Sequence, residues 1–70
     1  MAYKLKYDSD ADVLMLIIAE QGKLSYAEEI GDIVVHFDEH GAPIFIEILR
    51  ASKVVPSMVE ALAKKEIVVT

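Results

Sequence analysis

Seventy residues with twelve acidic against seven basic side chains give a formal charge of −5 and an isoelectric point near 4.8. The basic residues are scattered, so the chain lacks the clustered positive surface that a nucleic-acid binder needs to release counterions from phosphates, and an anionic membrane would repel it. The absence of cysteine excludes thiolate chemistry, cysteine-ligated zinc and a disulfide scaffold, and makes the cytoplasm the expected compartment.

The length predicts a single domain over residues 1–70, and a domain of this size buries only about 60% of the surface its unfolded chain exposes. Yet 54% of the residues are hydrophobic and the mean hydropathy is +0.37, above the roughly 45–50% apolar content of ordinary soluble domains. This excess predicts a homo-oligomer, most simply a twofold dimer that covers an apolar patch with its own copy. The longest apolar run, Val13 to Ala19, is too short to span a bilayer, and the residues from Met1 to Tyr7 lack the apolar continuation of a signal peptide.

Along the chain, Tyr3-Lys4-Leu5-Lys6-Tyr7 alternates, which predicts an edge strand with Tyr3, Leu5 and Tyr7 facing a core and the lysines facing water. Asp8-Ser9-Asp10-Ala11-Asp12 is turn-forming. Val13–Ala19 is apolar at every position and predicts a central strand covered on both faces, one by a helix and one by a partner chain. Leu24–Ile30 alternates weakly and is read as a further strand. Ile33–Leu49 is the segment the others pack against: two β-rich runs flank a polar turn with Gly41 at a positive-φ position, a hairpin whose loop has two or three residues. Pro43 lacks an amide donor and fits only at the start or edge of its strand.

After Leu49, Ala51–Val55 predicts a short helical turn capped by Ser52, with Pro56 restarting the chain into an amphipathic helix that packs Met58, Val59 and Leu62 on the sheet. Residues 66–70 are a last strand or an ordered tail. The fold class that results is α+β, a small antiparallel meander sheet of four to six strands with one C-terminal helix on one face.

Few residues carry candidate chemistry. His36, Asp38 and His40, spaced by two, would share one face of a continuous strand and are the metal-ligand candidates, but the turn at Gly41 argues that they diverge. Asp8, Asp10 and Asp12 resemble the opening of a calcium loop, which Val13 and Ala19 break at the positions that require glycine and glutamate. Glu47, an acid inside Ile46-Glu47-Ile48, is the weak catalytic candidate, with His36, Lys6 and Arg50 as candidate partners. No nucleophile or second acid accompanies it, so no reaction class, cofactor or metal is assigned.

Tyr7-Asp8, Ala11-Asp12, Asp38-Glu39-His40-Gly41 and Ile46-Glu47-Ile48-Leu49 followed by Ala51-Ser52 resemble a small prokaryotic family, domain of unknown function 2283, over about residues 3 to 53. His40 stands where that family has an acid, and Phe45 where it has glycine. The resemblance implies a small partner of toxin-like proteins, an antitoxin-type binding module.

The expected function is therefore a non-catalytic, homo-oligomeric protein-interaction module, with Leu14, Leu16, Val34, Phe45 and Leu49 as candidate interface residues. The alternative is a small enzyme or metal binder that uses Glu47 with His36 or Asp12, or the turn from Asp38 to His40.

Overall fold

The computed structural model of the chain describes residues 3–19 and 21–64. Five strands, β1 (Lys4–Asp8), β2 (Val13–Ile17), β3 (Leu24–Ile30), β4 (Ile33–Asp38) and β5 (Pro43–Leu49), precede one helix, α1 (Ala51–Lys64). All pairings are antiparallel, and the order across the sheet is β1-β2-β5-β4-β3. The fold is α+β: β3, β4 and β5 run as a meander, and the β1–β2 hairpin docks on β5, which becomes the central strand.

The connection from β2 to β3 must cross the end of the sheet past β5 and β4. Ile18 and Ala19, expected in the strand, leave it to begin that crossing, and both amides donate to the Ile44 carbonyl at 2.8 and 3.0 Å. Gly22 passes so close to Ile44 that a Cβ there would lie 3.3 Å from its Cδ1, at a φ of 135°.

Cross-strand register sorts the side chains onto two faces. Leu5 and Tyr7, Leu14 and Leu16, Ile44, Ile46 and Ile48, Ile33, Val35 and Phe37, and Tyr26 and Ile30 share one face. The helix lies on this side, where Val55 and Pro56 approach Tyr7 and Leu14. The opposite face carries Lys4, Lys6 and Asp8, Val13, Met15 and Ile17, Phe45, Glu47 and Leu49, Val34 and His36, and Ala27 and Glu29. The helix does not lie on this side, where Val34 is buried among its strand neighbours and the other apolar side chains of β2 and β5 are half-buried.

The helix covers less than its pattern predicts. Ala51 is buried and Val54 and Val55 are half-buried, but Met58, Val59 and Leu62 are exposed, Leu62 by 78%. Tyr3, Leu5 and Tyr7 are likewise exposed, Leu5 by 66%, because they lie at the sheet's edge, where the helix reaches Tyr7 with its first turns. β2 is half-buried along its length, and the helix reaches it at Leu14.

Three local expectations are corrected. The helix is continuous through Pro56, not restarted by it. Proline at this depth removes one amide, and the Ser57 hydroxyl donates to the Lys53 carbonyl at 3.2 Å just beside the gap. The β4–β5 loop has four residues between its strands, not two or three. Asp38 closes it through its amide to the Ala42 carbonyl at 2.9 Å and through the Gly41 amide to its own carbonyl at 3.2 Å, with Gly41 at φ 80°. Ser52 is inside the helix and does not cap it. Residues 66–70, read as a strand or tail, lie outside the described residues.

Candidate functional site

Two constellations gather the residues singled out from the sequence. The first is structural. Asp12 sits at φ 56°, a left-handed conformation that aspartate tolerates better than most residues, and this turns it toward the start of α1. Its carbonyl accepts the Ala51 amide at 2.9 Å, its Oδ1 accepts the Ser52 amide at 2.9 Å, and its Oδ2 accepts the Ser52 hydroxyl at 2.7 Å. A helix begins with orphan amides, and Asp12 satisfies two of them from a loop forty residues earlier.

The Tyr7 hydroxyl donates to the same Oδ1 at 2.6 Å. Held first by that phenol and then by Ser52, the Asp12 carboxyl lies below its ordinary value, and the Tyr7 phenol, whose proton Asp12 retains, lies above its own. Asp12 is thus fully engaged in joining β1, the first turn and the helix.

Arg50 completes the junction. At φ 50° this single residue turns the chain from β5 directly into α1, and its guanidinium forks onto Asp32 at 3.1 and 2.6 Å. The ion pair holds the Asp32 carboxyl below and the Arg50 guanidinium above their ordinary values. The Leu49 amide donates to the Asp32 carbonyl at 2.7 Å, so the β3–β4 turn is tied to the same point.

The second constellation lies on the uncovered face. His36 on β4 and Phe45 on β5 are direct cross-strand partners, and their rings stack with centroids 4.0 Å apart. The stack turns the imidazole toward Glu47, and Nε2 lies 2.5 Å from Oε1. With the carboxylate ionised, Nε2 carries the proton and donates it. Both side chains are about a quarter exposed, and apolar Val34, Met15, Ile17 and Leu49 surround them. Between Glu47 and the β1 rim, Lys6, Asp8, Val13 and Met15 line an open depression of about 570 Å³.

The three metal-ligand candidates do not converge. His36 points into the face beside Glu47. The Asp38 carboxylate accepts the Ala42 and His40 amides at 2.9 and 2.8 Å, which holds it below its ordinary value, and His40 is 81% exposed beside Glu39. Among the described residues no group of three or more His, Asp or Glu side chains is placed to hold a metal ion. Asp8 accepts the Asp10 and Ala11 amides at 3.0 and 3.2 Å and makes the turn expected of it.

The five interface candidates divide between the faces: Leu14 and Leu16 lie on the helix side, and Val34, Phe45 and Leu49 on the other. Sequence reasoning passed over Met15 and Glu29, which register places in line with Glu47, because a slip of one residue in pairing would have turned them away. Among the described residues no helix is long and apolar enough to cross a membrane.

A sheet clasped to its helix by an aspartate cap, with an imidazole and a carboxylate on the far face, defines a small α+β domain. The chain belongs to the family described as "Protein of unknown function (DUF2283)", whose model matches residues 4–52. That match runs from the start of β1 to the second helical residue and therefore contains the whole Tyr7–Asp12–Ser52 clasp. An uncharacterized protein of Methanocaldococcus jannaschii is 42% identical over 53 residues, which are 76% of this chain and 45% of that protein. The chain thus spans less than half the length of this curated relative. No solved structure matches.

Proposed function

We propose that the chain is a non-catalytic protein-interaction module that pairs with its own copy through the uncovered sheet face. One observation carries this reading: the helix lies on one side of the sheet, while Val13, Met15, Ile17, Phe45 and Leu49 remain half-buried on the other. The part of these side chains still in water favours apposition to a similar face, although the more exposed apolar residues, Leu5, Tyr26 and Ile30, lie on the helix side. The negative charge also suits a basic protein partner, such as the small toxin that the family resemblance implies.

Native mass spectrometry and sedimentation across a dilution series test the pairing. A dimer is expected, and Met15→Glu, which places a charge in the middle of the face, should dissociate it with an unchanged far-ultraviolet circular dichroism spectrum. A wild-type chain that stays monomeric at every concentration would sink the proposal.

The hydrogen-bonded His36–Glu47 pair, with the imidazole stacked on Phe45, favours a second reading, in which it moves a proton in a reaction. Glu47→Gln separates the two. A chemical role predicts loss of turnover with the fold and mass intact, and an interaction role predicts that any turnover seen is unchanged.

A further inference from the structure

The uncovered face carries its own instruction for how a second copy sits on it, an inference that rests on the pairing proposed above. Cross-strand register aligns one residue from each strand in a single row: Lys6 on β1, Met15 on β2, Glu47 on β5, Val34 on β4 and Glu29 on β3. The row is positive at one rim, apolar on either side of the centre and negative at the other rim. Lys4 flanks Lys6 on this rim, and Asp8 on its other side is held by the Asp10 and Ala11 amides.

Lys6 and Glu29 are four strands apart, roughly 19 Å at the usual strand spacing. Physiological salt screens exposed charges beyond about 8 Å, so the two do not pair within one chain. A face-to-face copy can be generated by a twofold axis along the strands or by one across them, and both keep the strands near the alignment that packed sheets adopt.

The axis across the strands sets Lys6 over Lys6 and Glu29 over Glu29, like charges at both rims. The axis along β5 exchanges the rims and sets Lys6 of each copy over Glu29 of the other, while Met15 meets Val34 in the depression beside β1. Glu47 falls near this axis, where its copy comes opposite, and each carboxylate there already holds an imidazole donor. We infer that the partner of this face is a second copy related by a twofold axis along β5, with reciprocal Lys6–Glu29 contacts closing both rims.

Charge reversal tests the arrangement, because rim charges select orientation more than they supply affinity. Lys6→Glu and Glu29→Lys are each expected to weaken the dimer about tenfold by turning two attractions into two repulsions. The double variant that exchanges the charges should restore it. Mixed in equal amounts, the two single variants should form a heterodimer in preference to either homodimer, as read by native mass spectrometry.

If the single reversals leave dimerisation unchanged while Met15→Glu still abolishes it, the face pairs in another orientation and this inference falls alone. A heterodimer of wild type with Lys6→Glu that displaces both homodimers would set Lys6 against Lys6 and also overturn it. A wild-type monomer at every concentration removes this inference together with the pairing on which it rests.

Discussion

Asp12 is the residue on which most of the local structure converges. It adopts a backbone conformation that costs most side chains strain, and in that conformation it receives two helix amides, a serine hydroxyl and a phenol. Asp12→Ala removes every side-chain acceptor at once and leaves an alanine at positive φ. It is expected to lower the thermal midpoint by about 5 °C or more, the scale of a lost helix cap in a domain of this size. Ser52→Ala, which keeps the amide contact, should cost less, and circular dichroism melts of the two variants check the order.

The same residue shows what is hard to read from a chain. Asp8, Asp10 and Asp12 look alike in sequence, and turn propensity accounts for Asp8, which bonds its own neighbours. Nothing local distinguishes Asp12, whose partners lie forty positions away. Arg50 in the left-handed region is equally hidden, since composition reserves such positions for glycine or asparagine.

At the scale of elements, strands were more readable than the helix. The bounds of β3, Leu24–Ile30, follow from weak alternation between two glycine turns, and the hairpin of β4 and β5 from its apolar runs around Gly41. The helix was misread at Pro56, because proline is normally a stop and here lies within a continuous element. Helix α1 is anchored at its beginning and exposed beyond its second turn, so it gains little from packing there. Its later turns therefore depend on backbone hydrogen bonding, and restoring the missing amide should show. Pro56→Ala is expected to stabilise the chain by about 1 kcal/mol, less than the full cost of an interior proline because alanine also frees the unfolded chain. Urea titration followed by helix circular dichroism checks it.

For the whole molecule, the acidic balance appears as a dependence on pH. Asp12, Asp32 and Asp38 all lie below their ordinary value of 3.8, held there respectively by Tyr7 and Ser52, by Arg50, and by the amides of the β4–β5 loop. A carboxyl that is more acidic in the folded than in the unfolded chain contributes its full stability above the unfolded value and loses it as pH falls through the folded one. The thermal midpoint should therefore hold steady above the ordinary aspartate range and fall below it. The measurement belongs on the Met15→Glu chain, where self-association does not enter. A midpoint that rises on acidification would contradict these assignments.

Strand number, antiparallel pairing and the central hairpin were within reach of pattern because they depend on neighbours in sequence. The order β1-β2-β5-β4-β3, the uncovered face and its charge row depend on which distant strands meet.

The clasp between residues 12 and 52 has a consequence for the order of events in folding. A fourteen-residue helix with proline inside it has little stability of its own, and its start is completed by a loop at the far end of the chain. Helix and β1–β2 hairpin should therefore open and close together, as one cooperative unit bridging the first and last described elements. Hydrogen exchange would find the Ala51 and Ser52 amides sharing the opening rate of β2. A ribosome, having released the cap first, would have to deliver forty more residues before that cap had anything to hold.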